Sequence, residues 1–249
     1  MSVTTSKTFL SAFLKTLGML FLYIFVGLFI DSKYVVINYQ ESRWIANALM
    51  IFIFSIVWLK VTIKVRELML YAVIIGYVGE YLFSVGLGMY TYRLENVPHY
   101  IPMGHALVYI GVLYFIKTFY VKLNRKLLEK IFTGIIIIYA LAFLVFKNDV
   151  FGFVLTAATL LILRNKPRER LFYLTMYLSI VFLEITGTSY ECWDWPSIAW
   201  DYFTFLPSAN PPSGISFFYF GLDLGCLWLY KQRHKIAWSR MKNIRFLKK

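Results

Sequence analysis

Two glutamates, Glu80 and Glu184, stand inside long apolar runs of the sequence, and Asp223 is a third carboxylate in such a run. A charged side chain in the hydrocarbon core of a membrane costs about 2.5–3.5 kcal/mol by insertion scales, so acidic residues there usually face the bundle interior and mark a site. We therefore predict a pocket in which Glu80 or Glu184 acts as a general acid, with Asp223 as a further member of the pocket. The alternative is a protonated, structural glutamate that is hydrogen-bonded to a neighbouring helix.

The residues after the two glutamates follow one pattern twice. The first copy is E-x9-Y-x-Y…P-x-G-x4-Y, and the second is E-x8-W-x-W…P-x-G-x4-Y. We expect the repeated positions to bind substrate; they are Tyr90, Tyr92, Pro102 and Gly104 in the first copy and Trp193, Trp195, Ser213 and Gly214 in the second. Tyr and Trp are also enriched at membrane interfaces. An aromatic belt is thus the alternative to an aromatic-walled mouth for a lipid chain or polyene.

His105 comes shortly after Pro102 and Gly104, where an apolar run begins. Proline is favourable near the start of a helix, because its missing N–H would be unpaired there anyway. The open helix start offers N–H groups to an anionic or carbonyl oxygen. Ile215 stands at the matching position of the second copy. We therefore predict that the two copies share architecture but differ in chemistry, with His105 as the partner base; a structural interfacial histidine is the alternative.

This pattern resembles segments of small carotenoid-pathway membrane proteins, the bisanhydrobacterioruberin hydratase-like and heterodimeric lycopene cyclase-like families. The resemblance covers Glu80–Pro102 and Glu184–Pro212, about a fifth of the chain. The cyclase-like proteins favour a glutamate soon after the proline, where this chain has His105 and Ser213. The resemblance implies acid–base addition of water or a proton to a polyene double bond, without a redox cofactor.

The composition predicts the elements that position these residues. The 249 residues are 59% hydrophobic and 16% charged, whereas a soluble domain is about half apolar and a quarter charged. Apolar runs of about twenty residues recur along the chain, which is typical of an all-α, polytopic membrane bundle. The eight predicted spans are 9–30, 44–63, 67–92, 103–121, 131–147, 149–164, 171–190 and 212–230.

The basic residues predict the orientation of these spans. With the N-terminus in the cytoplasm, only Lys33, Arg43, Arg93 and Lys147 of the 26 Lys and Arg residues fall on outer segments. This bias follows the positive-inside rule and predicts that both termini are cytoplasmic, in a plasma membrane of the bacterial inner-membrane type. The basic tail, 231–249, follows a span directly, so we expect it to bind anionic lipid headgroups rather than nucleic acid.

We predict a single transmembrane domain, 1–249, that contains pseudo-repeats at about 1–122 and 123–230. Each half has four predicted spans; because four is an even number, the repeats would be parallel. Cys192 and Cys226 have no metal-ligand spacing, and they form either one disulfide or two free thiols.

Three classes of function remain open at this point. The first is an enzyme acting on a lipid or isoprenoid in the outer half of the bilayer, with membrane lipids and a lipophilic molecule as partners. The second is a proton-coupled carrier with paired carboxylates, and the third is a non-catalytic scaffold. The chain has no Walker, G-x-G-x-x-G, H-E-x-x-H or G-x-S-x-G motif. We predict neither a cofactor nor a metal, although Glu80, His105 and Glu184 are of metal-ligating types.

Overall fold

The apolar runs form helices, as expected where a backbone in lipid must satisfy its own N–H and C=O groups. The computed structural model describes residues 9–39, 42–236 and 238–240. The α-helices are α1 (Met19–Ile30), α2 (Lys33–Val36), α3 (Ser42–Lys60), α4 (Ile63–Glu80), α5 (Tyr100–Lys117), α6 (Phe119–Leu123), α7 (Arg125–Lys147), α8 (Val150–Arg164), α9 (Arg170–Ser189) and α10 (Ser216–Arg233). The strands are β1 (Thr91–Tyr92), β2 (Trp193–Asp194), β3 (Ile198–Ala199) and β4 (Phe203–Pro207).

Within the described part of the chain, six helical segments are long and apolar enough to cross a membrane. They are Phe9–Val36, Ser42–Lys60, Ile63–Gly86, Tyr100–Lys117, Arg125–Lys147 and Arg170–Ser189. The predicted all-α architecture is thus confirmed, and the six apolar helices are compatible with a membrane protein. The other two predicted spans coincide with α8, which has 15 residues, and with α10. Because α8 is short and α10 is less apolar, the count of eight spans stays a prediction.

The third predicted span, 67–92, is wrong at its end, because the helix does not reach the two tyrosines. After α4 the chain continues as a π-helical turn, Tyr81–Gly86. Gly88 then has φ +59°, a conformation that glycine adopts without a steric penalty. The chain reverses there, and the Ser84 hydroxyl donates to the Tyr90 carbonyl oxygen at 3.1 Å. This reversal carries Tyr90 back over the end of α4.

Four helices, α4, α5, α9 and α10, form the centre of the bundle. α4 packs against α5 and α10, and α9 also packs against α5 and α10. α1 and α3 cover one side through contacts with α9 and α5, whereas α7 and α8 cover the other side through contacts with α9 and α10. Consistent with this order, 67% of the most apolar stretch of α9 is buried but only 17% of that of α7. Glu80 and Glu184, on the buried faces of α4 and α9, therefore meet protein.

The predicted basic tail begins inside α10, which continues to Arg233. Arg233 Nε and His234 Nε2 lie 3.2 and 2.8 Å from the carboxylate of Glu67, near the start of α4. The ammonium group of Lys231 lies 5.0 Å from the ring centre of Trp238. These contacts hold the first part of the tail against the bundle; residues 241–249 of the predicted tail lie outside the described residues.

Candidate functional site

Glu80, the last residue of α4, is buried and makes three hydrogen bonds. Its Oε2 accepts from the hydroxyls of Tyr90 and Tyr92, each at 2.5 Å. Its Oε1 lies 2.6 Å from Nε2 of His105 on α5. Burial, and then the charge of Glu80, raise the pKa of the Tyr90 and Tyr92 hydroxyls, so both remain protonated donors. The 2.6 Å contact between Glu80 Oε1 and His105 Nε2 is a hydrogen bond that joins the carboxyl group to the imidazole.

Glu184, on α9, has an equivalent set of three donors. Its Oε2 accepts from the indole N–H groups of Trp193 and Trp195 at 2.9 and 3.2 Å. Its Oε1 accepts from the Tyr219 hydroxyl at 2.7 Å. Gly187, one turn after Glu184, leaves room for Trp193, because a Cβ atom at Gly187 would lie 2.0 Å from Trp193 Cζ2. Among the described residues, the side-chain partners of Glu184 are these uncharged donors, and none of them is a base.

The two glutamate sites meet through the strands that follow them. β1 and β2 pair in antiparallel orientation, with Tyr92 opposite Trp193. Tyr90 packs against Trp195, with ring centres 4.5 Å apart. The first aromatic residue of each copy therefore lies beside the second aromatic residue of the other copy. A local two-fold axis between the two strands produces this arrangement.

His105 and Tyr219 occupy the third donor position at the two glutamates. The sequence pattern matches His105 with Ile215, but the partner of Glu184 is Tyr219, one helical turn further along α10. The two helices also start differently: α5 begins two residues before its proline, Pro102, whereas α10 begins at Ser216, after the matching proline. The rings of His105 and Tyr219 lie 5.1 Å apart at the centre of the bundle. A base therefore serves one glutamate and a phenol the other.

A cavity begins at this site, with about 50 Å³ of room for the centres of water-sized molecules. Glu80, His105 and Glu184 lie at its inner end, and we call it the first cavity. Its apolar wall is formed by α1 and α3 through Ile24, Leu28, Ala46, Leu49, Met50 and Ile53.

The first cavity opens sideways, between α1 and α3. In its outer wall Tyr23 of α1 is exposed, and Gly27 of α1 and Met50 of α3 are partly exposed. A Cβ atom at Gly27 would meet no atom within 4 Å, so the space beside this glycine is open. The mouth therefore faces the apolar outer surface of the bundle rather than its loops.

Most of the residues singled out by the sequence pattern come together at this site. Those that line the first cavity are Glu80, Tyr90, Tyr92, Gly104, His105, Glu184 and Trp193. Trp195 lies behind them as a ligand of Glu184, and Pro102 is buried in the first turn of α5. Asp223, Ser213 and Gly214 lie elsewhere.

The second proline–glycine turn packs against α8 instead of the first cavity. The backbone N–H of Ser213 donates to Asp149 Oδ2 at 2.7 Å. A Cβ atom at Gly214 would lie 2.1 Å from the carbonyl oxygen of Gly152, so only glycine permits this close approach. Asp149 also accepts from the N–H groups of Gly152 and Ala209 at 3.1 and 3.0 Å. The capping signal of an aspartate before a helix is visible in the sequence, but these long-range bonds are not.

Asp31 is a second buried aspartate that the sequence analysis missed. It is fully buried after α1 and lies 3.1 Å from Arg43 Nε and 2.6 Å from Arg93 Nη2. The Tyr100 hydroxyl donates to it at 2.8 Å. The charge pattern places both arginines on outer segments, and the structure shows them paired with Asp31. The carboxylate links α1, α3 and the start of α5 beside the first cavity.

No group of three His, Cys, Asp or Glu side chains within the described ranges is arranged to hold a metal ion. Searches against protein-family models, curated proteins and solved structures find no match. The functional argument therefore rests on the geometry of the site.

Proposed function

We propose that the protein is a membrane enzyme that acts on a lipid or isoprenoid by acid–base chemistry, with the Glu80–His105 pair as proton donor and acceptor. One observation carries the proposal: this pair lies at the inner end of a cavity whose mouth opens between α1 and α3. General acid–base catalysis requires a group that gives and takes a proton near the working pH. Carboxyl and imidazole groups are the side chains most often used for this purpose, and here one of each lies within hydrogen-bond distance of the other.

The lining of the first cavity favours a lipophilic substrate. Its outer wall is apolar, and its titratable groups lie at the inner end. A molecule dissolved in the membrane enters such a mouth without crossing water. The resemblance to carotenoid hydratase-like proteins supports a polyene or another isoprenoid as the substrate class.

The proposed reaction is addition of water to a double bond. The Glu80–His105 pair protonates one alkene carbon, and water adds to the resulting cation. The surplus proton of that water returns to the pair, so that atoms and charge balance without a redox cofactor. The rings of Tyr92 and Trp193 lie in the wall beside the pair, where aromatic faces stabilise a cationic intermediate.

Glu184 has a different role in this proposal, because it lacks a basic partner. It positions the aromatic wall by holding Trp193 and Trp195 through their indole N–H groups. Glu80 is therefore the catalytic carboxylate and Glu184 a positioning residue.

We further propose eight spans, two parallel four-helix repeats and cytoplasmic termini in a bacterial inner membrane, with anionic headgroups at the basic tail. The equivalent donor sets of Glu80 and Glu184 and the pairing of β1 with β2 support the repeats. A cysteine introduced at the exposed Thr204 is then expected to react with an impermeant thiol reagent added from outside. Labelling of Thr204→Cys only after the inner face is opened would contradict this orientation.

A proton-coupled carrier is the second candidate, and the equivalent positions of the two glutamates favour it. In a carrier that uses paired carboxylates, both glutamates take part in coupling. In the proposed enzyme only Glu80 exchanges a proton, so the two glutamates respond differently to substitution.

The deciding experiment compares Glu80→Gln with Glu184→Gln. Membranes with each variant are incubated with an isoprenoid extract that includes polyenes, and the lipids are analysed by mass spectrometry for a gain of water. Glu80→Gln and His105→Gln are expected to reduce conversion by about 10²–10⁴, the usual contribution of a general acid or base. Glu184→Gln and the exposed control His99→Gln are expected to keep most of the activity.

All rates are normalised to monodisperse, detergent-extracted protein. Full activity in Glu80→Gln, with losses only where protein fails to accumulate, would make the glutamates structural and remove the enzyme proposal. Equal loss of substrate uptake into vesicles in both glutamate variants, without chemical conversion, would favour the carrier.

A further inference from the structure

A second, smaller cavity, with about 20 Å³ of room for the centre of a water molecule, adjoins the site on the side away from the loops. His105 and Tyr219 line both cavities. The remaining wall of the second cavity consists of Ala72, Val108, Tyr109, Met176, Ile180, Leu222, Asp223 and Cys226. Ala72 precedes Glu80 by eight residues on α4, which is about 12 Å along a helix. The second cavity therefore extends from His105 into the middle of the bundle.

Asp223 is the carboxylate of this second cavity, and it has an unused oxygen. The residue is buried, and its Oδ2 makes no hydrogen bond with any described residue. A buried carboxyl oxygen without a partner is costly, and in a native structure it requires an explanation such as an internal water or a functional role. The cavity beside it has about 20 Å³ of room for the centre of a water molecule, above the roughly 10–15 Å³ that one internal water requires. Polar walls and sufficient room are the two conditions for internal water.

Among the side chains that line the second cavity with Asp223, His105 is the one of a type that exchanges protons readily near neutral pH. Tyr109 of α5 and Cys226 of α10 line this cavity together with Asp223, and Tyr173 of α9 lies nearby. The wall of the second cavity contains neither lysine nor arginine. Tyrosine and cysteine titrate well above neutral pH when they are unperturbed, whereas histidine titrates close to it.

We propose that Asp223 is a proton relay that loads the Glu80–His105 pair through water in the second cavity. This inference rests on the proposed function, since it assigns the route by which the catalytic pair exchanges its proton with the protein interior. His105 is suited to pass a proton on because Nε2 faces Glu80, while Nδ1 makes no hydrogen bond with the described residues.

The transfer balances in protons and charge. The Asp223 carboxyl group gives a proton to a water molecule, and that water passes one to Nδ1 of His105. Nε2 of His105 then releases its own proton to Oε1 of Glu80. One proton moves from Asp223 to Glu80, and the negative charge moves the other way. Only O–H and N–H bonds form and break.

The test is the rate at which the His105 ring N–H exchanges with solvent in the full-length protein. The chain has three histidines, so ¹⁵N-histidine labelling gives three imidazole signals, which His99→Gln and His234→Gln assign. Asp223→Asn is expected to slow the exchange at His105 by about tenfold or more, which corresponds to a barrier higher by about 1.4 kcal/mol. Asp223→Glu, which keeps a carboxylate, is expected to restore fast exchange.

A second variant tests the cavity itself without changing Asp223. Ala72→Leu fills part of the second cavity with an apolar side chain, and it is expected to slow the exchange as well. Thr159→Val is the matched control, because Thr159 on α8 is buried and unpartnered but does not line either cavity. If Asp223→Asn fails to fold, the exchange rates measured in Asp223→Glu and Ala72→Leu still test the relay.

Exchange at His105 that is as fast in Asp223→Asn or in Ala72→Leu as in the wild-type protein would overturn the relay. The measurement needs no substrate, so its outcome is independent of the activity assay. Unchanged exchange together with loss of activity in Glu80→Gln would refute the relay alone. Slowed exchange together with full activity in Glu80→Gln would refute the enzyme proposal alone.

Discussion

Removal of the Glu184 carboxylate is expected to destabilise the bundle much more than its replacement by an amide. In Glu184→Ala, the indole N–H groups of Trp193 and Trp195 lose their acceptor, and so does the Tyr219 hydroxyl. In Glu184→Gln, the amide oxygen accepts from both indoles. The amide N–H group donates to the Tyr219 oxygen, because a hydroxyl accepts as well as donates.

The magnitude follows from the number of donors left unpaired. A buried donor without a partner costs about 1–3 kcal/mol. An indole N–H can only donate, so two such groups cost about 2–6 kcal/mol in Glu184→Ala, while the Tyr219 hydroxyl can reorient. With about 2–4 °C per kcal/mol for a chain of this size, the melting temperature falls by roughly 4–24 °C. Glu184→Gln is expected to change it by less than about 4 °C.

Thermal unfolding in one detergent, followed by tryptophan fluorescence, measures both variants. Glu191→Ala is the control, because Glu191 is exposed and its ion pair with Lys33 is exposed too; such a pair contributes about 0–1 kcal/mol. Equal melting temperatures for Glu184→Ala and Glu184→Gln would refute the argument from unpaired indole donors.

Three further perturbations test the packing around the site. Gly187→Ala places a Cβ atom against the Trp193 ring and is expected to lower the free energy of unfolding by about 1–3 kcal/mol, measured by thermal unfolding. Gly27→Ala, beside open space, is expected to change the free energy of unfolding very little. Asp31→Asn leaves the buried Arg43 and the partly buried Arg93 without their anion and is expected to cost about 3–5 kcal/mol, seen as loss of monodisperse protein on size-exclusion chromatography. Burial, and then the charge of Asp31, raise the pKa of the Cys192 thiol to about 12. Little thiolate is then present at about pH 8, so mass spectrometry is expected to detect alkylation of Cys192 only after unfolding.

The helices were predictable because apolar runs long enough to span a membrane leave a local signal in the sequence. The two glutamates and their aromatic followers were predictable for a related reason, since carboxylates are rare in such runs and their spacing repeats. The same apolar pattern led to the wrong prediction that the third span continues to residue 92. Tyr90 and Tyr92 are compatible with a helix by composition, and only the turn at Gly88 and the contact with Glu80 decide otherwise.

The partners of the buried carboxylates depended on tertiary structure alone. Asp31 meets Arg93 across 62 residues, and Asp149 meets Ser213 across 64; no periodic pattern connects positions so far apart. The sequence matches His105 with Ile215, but in the structure Tyr219, one helical turn further along α10, meets Glu184. The packing of the central helices decides which carboxylate has a base beside it and which faces a second cavity. The reason is that a hydrogen bond depends on the distance between two atoms in space and not on their separation along the chain.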